Sequence, residues 1–351
     1  MIATVPTTPR ADDLLAEFVP PARFAEKRFD NYTPDPRHPT QQAARERLRA
    51  LAEALHRRSS DPLRWVRSAL GRARTGRGIY LDGGFGVGKT HLLAALWNAA
   101  PSPKVYLSFD ELVYTLGLLG VERARRVFQG QRLVAVDEWE LDDPGNLKLA
   151  LAWLRGALAD GVQVAVTSNT VPDELGRGRF SQKSFAAEIE ELSAAFETLR
   201  IEGEDYRHRH FEADPGREYF QTAASLSRRA RAAGERALWV PFADLLEGLG
   251  RVHPIRYAAL VELLDGLLVE DVAPVAHLPD ALRWVHFVDK LYDAAIPFLA
   301  SSEVPLGGIF SASFITGSYG KKFSRCLSRM EELLGEADAS PEVLPGYVTQ
   351  L

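Results

Sequence analysis

The sequence reads as an α/β protein: a doubly wound parallel sheet flanked by helices, with an N-terminal helical segment before it and a C-terminal α+β domain after it. Three features carry that reading. Strand and helix signals alternate from Gly78 to Ile201, several strand signals are continuous apolar runs, and a glycine-rich loop joins the first strand to the first helix. Continuous apolar runs suit strands buried on both faces, and alternation of this kind places a ligand at the carboxyl ends of the strands.

The first strand and its loop read IYLDGGFGVGKTHLLAALW, from Ile79 to Trp97. Gly83, four further residues, then Gly88, Lys89 and Thr90 spell the phosphate-cradling loop of P-loop NTPases in the strand, loop and helix context it requires. Glycines at 83, 84, 86 and 88 let successive N–H groups face one point, and the helix beginning near Lys89 adds the positive end of its dipole. Gly83, Gly84, Phe85, Gly86, Val87, Gly88, Lys89, Thr90 and His91 are therefore the candidate ATP-binding set. Lys89 is expected to reach the β- and γ-phosphates, and the Thr90 hydroxyl to ligate Mg²⁺.

Upstream, residues 1–39 are rich in proline and carry the aromatics Phe24, Phe29 and Tyr32, an extended stretch expected to lie over another part of the protein. Phe29 or Tyr32 could wall an adenine; simple packing is the competing explanation. Thr40 is a candidate cap for a helix from Gln41 to about His56, with a second helical piece from Asp61 to about Gly71. Downstream of the loop, strands are expected at Val105–Phe109, Leu133–Val136, Val162–Val166 and Glu197–Ile201. Helices are expected at 110–117, 121–128 and 147–159.

Asp137 and Glu138 follow the apolar run LVAV directly, so both carboxylates leave a strand at its carboxyl end. Asp137 is expected to hold Mg²⁺ and Glu138 to orient and deprotonate the attacking water, although two acids after a strand also make an ordinary loop start. Asn169, which ends VAVTSN, is a candidate sensor of the γ-phosphate or the lytic water; the alternative is a turn residue ahead of a helix starting near Pro172. Arg177 and Arg179 lie in the glycine-bearing stretch LGRGRF. Either could enter a neighbouring subunit's site as an arginine finger, and either could be a solvated loop arginine.

The whole chain of 351 residues is 46% hydrophobic and 25% charged, ordinary values for a soluble globular protein of two or three domains. Its one cysteine, Cys326, excludes an intramolecular disulfide and fits a reducing cytoplasm. The start MIATVPTTPRADDLLAEFVPP has no basic segment followed by an apolar one, so secretion and membrane spanning are not expected. Net charge is −5, unevenly spread: residues 1–75 carry 14 basic and 9 acidic side chains, residues 76–203 carry 13 and 17, and residues 204–351 carry 15 and 21. The overall acidity argues against nucleic acid as a partner, while the basic clusters, including SLSRRARAAGER, suit either a solvated face or an acidic protein or anionic lipid. Within residues 204–351, strands are expected at Pro241–Leu246, Val269–Val272 and Phe298–Ala300, and helices at Ile255–Leu268, Asp280–Ala294 and Ser318–Leu334. His208, His210, His253, His277 and His286 have no metal-ligand spacing and read as structural.

GGFGVGKTHLL, VAVDEWEL, VTSNTVPDELG, LRIEGEDYRHR, FVDKLYD and FSRCLSRMEEL occur in an order that resembles the ZapE-type AAA+ ATPases, bacterial cell-division proteins related to a mitochondrial AFG-type ATPase. The resemblance runs from about Tyr32 to about Leu333, nearest to an actinobacterial branch. It implies an AAA+-like ATP hydrolase acting on the division ring protein FtsZ as a homo-oligomer with shared sites, in the cytoplasm at the inner face of the membrane. It also implies Arg179 as the better finger and leaves Arg325 and Arg329, which match C-terminal arginines of the family, without a role. Two departures stand out: the usual DEF is DEW here, and SFDELVYTLGLLG lacks a His-rich helix common in proteobacterial members. A helicase loader acting with nucleic acid is the alternative, because GVGKTHLL is typical of such proteins too. An AFG-type quality-control ATPase is another.

Overall fold

The computed structural model describes residues 15, 18–59, 78–84, 86–139, 144–170, 185–203, 219–232, 237–252, 254–317, 319–339 and 348–349. The expected helices at 61–71 and from 172, Phe85, and the arginines at 177 and 179 lie outside them. The chain divides into two compact units, Thr8–His210 and one built on Phe211–Leu351.

In the first unit the elements run α1 (Pro39–Ser59), β1 (Gly78–Gly83), α2 (Lys89–Ala99), β2 (Lys104–Ser108), α3 (Phe109–Leu119), α4 (Val121–Phe128), β3 (Leu133–Asp137), α5 (Pro144–Ala159), β4 (Gln163–Ser168), α6 (Ala186–Ala195) and β5 (Phe196–Ile201). The five strands are parallel and ordered β2-β3-β4-β1-β5. From β1 the chain crosses to the far edge at β2, returns through β3 and β4, and only then passes to β5. The loop after β1 therefore opens beside the ends of β4 and β5, and β3 lies one strand further on.

Both faces of this sheet are covered, which is why its strands are apolar at consecutive positions. Tyr80, Val134, Val136, Val164 and Val166 face one core with α3 to α6. Their neighbours Ile79, Leu81, Leu133, Ala135 and Ala165 face the other, with α1 and α2. Helix α2 is sandwiched between sheet and α1, and Leu92, Leu93, Ala94, Ala95 and Leu96 are all at most 1% exposed. An arm over residues 18–38 seals this unit: the Phe18 carbonyl accepts the Tyr106 N–H of edge strand β2 at 2.8 Å, and Phe29 and Tyr32 pack with α1 and α2. Helix α1 begins at Pro39, earlier than Thr40 as its cap would allow, because proline suits the first helical turn. The Thr40 hydroxyl instead accepts the Glu202 N–H at 3.0 Å.

The second unit contains α7 (Ala223–Ala232), β6 (Ala237–Pro241), α8 (Phe242–Gly250), α9 (Tyr257–Val261), β7 (Gly266–Val272), α10 (Leu278–Ala294), β8 (Phe298–Ser302), α11 (Ala312–Thr316), α12 (Gly320–Ala339) and β9 (Val348–Thr349). Its sheet is ordered β8-β7-β6-β9, and each of these pairings is parallel. Two expectations are corrected here. Pro241–Leu246 is not a strand: β6 ends at Pro241, and Phe242, Leu245 and Leu249 are buried at helical spacing in α8. The expected helix over Ile255–Leu268 stops at Val261, and Gly266 opens β7, whose Leu267, Leu268 and Val269 are fully buried between β6 and β8.

Candidate functional site

The glycine-rich loop leaves β1 at its carboxyl end, and the glycines at 83 and 88 each have a measurable reason. Gly88 caps α2 with φ 88°, a left-handed conformation, and a Cβ there would come within 2.5 Å of the Tyr32 ring. At Gly83, a Cβ would lie 2.4 Å from the Ile201 carbonyl oxygen of β5. The N-cap Gly88 has no side chain to hydrogen-bond the first amides of α2, so no cap side chain competes with a ligand for them.

Lys89, on the first turn of α2, is buried and folds back across the loop. Its Nζ donates to the carbonyls of Gly83 at 2.7 Å and Gly84 at 2.5 Å, and to Asn169 Oδ1 at 2.9 Å. The lysine thus joins the loop to the end of β4. Thr90 joins it to β3, donating from Oγ1 to Asp137 Oδ1 at 3.3 Å.

Asp137 ends β3 and is surrounded by hydroxyls. Besides Thr90, it accepts from Tyr106 of β2 through Oδ2 at 3.0 Å and, through Oδ1, from Thr167 of β4 in a very short contact. An oxygen-only set of this kind, built around a carboxylate and a threonine, fits a hard divalent cation such as Mg²⁺. Among the described residues no group of three or more His, Cys, Asp or Glu side chains forms a metal cage, and Mg²⁺ characteristically binds through one or two protein groups and phosphate oxygens. Glu138 follows with φ 56°, in the left-handed region that a non-glycine residue seldom occupies. Its N–H donates to Thr167 Oγ1 at 3.0 Å. Trp139, the departure from DEF, is fully buried between Phe109 and Phe196, at ring-centroid distances of 4.8 and 6.0 Å.

Three further residues, Tyr32 at the loop, Gln41 beside it and Tyr106 at the acid, shape the surroundings of the site without having been singled out for that in the sequence. Tyr32, weighed there as an adenine wall, lies against the loop itself: its hydroxyl donates to the Val87 carbonyl at 3.0 Å and its ring meets His91 edge-on at 5.3 Å. Gln41 bridges arm and sheet, accepting from Asp35 N and donating to the Glu202 carbonyl, each at 2.8 Å. Tyr106 reads as a core aromatic in VYLSF, and only the strand order reveals that its hydroxyl reaches Asp137. His91 spends its ring on the arm, with Nε2 at 3.0 Å from the Arg28 carbonyl, so that nitrogen carries the proton. Burial pushes its pKa down, against the Arg28 hydrogen bond that pulls it up. A part for His91 in ligand binding falls to its backbone N–H.

A parallel sheet of this order, a glycine-rich loop running into a helix, and acids at the end of the strand two places from it define a P-loop ATPase of the AAA+ type. The chain matches the model of the AFG1-like ATPase family over residues 18–228 and 213–338, and it belongs to that family. The cell division protein ZapE of Escherichia coli strain K12 is 25% identical over 316 residues, 77% of this chain and 81% of that protein. The protein of the same name from Escherichia coli O157:H7 matches equally. Among solved structures, DnaI is 17% identical with a TM-score of 0.39, covering 54% of this chain and 97% of that one. AMPPCP-bound DnaA from Aquifex aeolicus is 12% identical with a TM-score of 0.37, covering 90% of this chain and 92% of that one. Likeness at these scores carries no argument about function.

Proposed function

We propose that this ATPase hydrolyses ATP, with Mg²⁺, at the carboxyl ends of β1, β3 and β4, and uses the cycle to remodel a protein partner in cell division. One observation carries the site: side chains from three separate segments meet there, Lys89 on Asn169 and Thr90 on Asp137.

In this reading Lys89 exchanges its loop carbonyls for the β- and γ-phosphates, and the amides from Gly83 to His91 wrap the chain of phosphates. Bound Mg²⁺ supplies neutralisation of charge on the phosphate oxygens. Thr90 and Asp137 would hold it. Glu138 takes the proton of the attacking water, and Asn169, released from Lys89, fixes the water or the γ-phosphate. Arg179 completes a neighbour's site in a homo-oligomer by offsetting transition-state charge. The division role is supported by the name of the curated relatives, and FtsZ is the partner that the sequence resemblance implies. A peripheral position at the inner face of the membrane follows from that partner; among the described residues no helix is long and apolar enough to cross a bilayer.

The test is the ATPase rate of the wild type alone, with polymerising FtsZ and with DNA, alongside Lys89→Ala. The expected result is stimulation by FtsZ, none by DNA, and neither ATP binding by calorimetry nor turnover in Lys89→Ala. Stimulation by DNA alone would contradict the division role, and unchanged ATP affinity in the variant would contradict the site.

A further inference from the structure

Thr167 lies on β4 two residues before Asn169 and is 2% exposed, yet it is polar. A hydroxyl has one proton to give and two lone pairs to offer. Here the proton goes to Asp137 Oδ1, and a lone pair takes the Glu138 N–H at 3.0 Å. The Thr167 carbonyl takes the Trp139 N–H at 2.7 Å, so a single residue grips three consecutive positions of the neighbouring strand end. The middle one, Glu138, is the residue with φ 56°. A left-handed backbone at a glutamate persists only where its surroundings hold it, and Thr167 supplies a hydrogen bond to the residue on each side of it.

We infer that Thr167 is a positioning residue for hydrolysis: it aims the Asp137 carboxylate and fixes the Glu138 backbone, so that the two acids keep one mutual geometry. This rests on the assignment of Asp137 to the metal and Glu138 to the water. The two oxygens of Asp137 are held differently, Oδ2 by Tyr106 and Oδ1 by Thr90 and Thr167, so loss of the Thr167 donor removes one of the groups that aim Oδ1. Valine has nearly the shape of threonine and suits a buried strand, so the hydroxyl is not there for packing.

The experiment compares Thr167→Val and Thr167→Ser in the full-length protein, reading kcat, KM for ATP, and ATP affinity by calorimetry with and without Mg²⁺. Partners of metal ligands typically change affinity or activity by about 10- to 100-fold. Thr167→Val is expected to lose kcat by that order and most of the Mg²⁺-dependent gain in ATP affinity, with affinity in chelator unchanged. Thr167→Ser is expected to restore both. Wild-type behaviour of Thr167→Val, equal losses in both variants, or a loss of ATP affinity without Mg²⁺ would overturn the inference. Should Thr167→Val fail to fold, Thr167→Cys, with its weak donor, is read by the same criteria. Asp137→Asn and Glu138→Gln are measured alongside: if they hydrolyse ATP normally, the underlying assignment fails, whereas if they stall and Thr167→Val does not, only the role of Thr167 fails.

Discussion

One carboxylate, Asp289 on α10, balances two guanidiniums from α12 in the second unit. Arg325 donates to its Oδ2 at 2.7 Å, Arg329 contacts its Oδ1, and Arg329 lies over the Tyr292 ring at 5.0 Å. Burial alone would raise the Asp289 carboxyl, but Arg325 and then Arg329 outweigh it and bring the pKa to about 2. A carboxyl depressed on folding stabilises the protein at pH above its ordinary value, 3.8, and that contribution is lost as pH falls through about 2. Asp289→Asn strands two buried cations, which costs about 3–5 kcal/mol near neutrality. Thermal unfolding from pH 6 to pH 2 is expected to show a large gap between wild type and variant that closes toward pH 2; equal melting at pH 6 would contradict the role of the pair. The sequence singled out Arg325 and Arg329 without a role, because their partner stands 36 residues away from Arg325 on another helix.

At the scale of elements, the boundary between β2 and α3 was missed: the strand expected over Val105–Phe109 ends at Ser108, and Phe109 already belongs to α3. Ser108 caps α3, its hydroxyl accepting the Glu111 N–H at 3.3 Å while Glu111 returns to the Ser108 N–H at 2.7 Å. This capping box lets a helix start directly from the end of β2 with no loop between them. Ser108→Ala is expected to lower stability by about 0.5–2 kcal/mol, read as a shifted denaturant midpoint with unchanged m-value. An unshifted midpoint would mean the box contributes nothing. Where patterns compete, reading fails: LVELLDGLLVEDV is apolar at both helical and strand periods, and the structure breaks it at Gly266 because β7 is paired on both sides. Helix α2 closes with a device no pattern announces, Lys104 Nζ donating to the carbonyls of Trp97, Asn98 and Ala100 from the first residue of the next strand.

For the whole molecule, the alternation of strands and helices gave the first sheet and the flanking helices, because a parallel sheet imposes its periodicity on the chain. The candidate site divides along the same line. Lys89, Thr90, Asp137 and Asn169 stand out in the sequence since each sits at a strand's end or in a spaced motif, and the fold brings them together. Tyr106 and Thr167 do not stand out, since their partner Asp137 lies 31 and 30 residues distant and only strand order makes them neighbours, while Tyr32 was weighed as an adenine wall and its actual partner, the Val87 carbonyl, lies 55 residues away. The second unit carries no comparable motif, and its parallel sheet emerged from pairing alone.

The proposed mechanism turns on Glu138, the acid to which it assigns activation of the attacking water. The decisive measurement is single-turnover ATP hydrolysis by Glu138→Gln with its ATP affinity measured by calorimetry. Removing a general base typically slows the chemical step by about 10²- to 10⁴-fold. The account predicts a loss of that size with ATP binding retained; hydrolysis at the wild-type rate would contradict it.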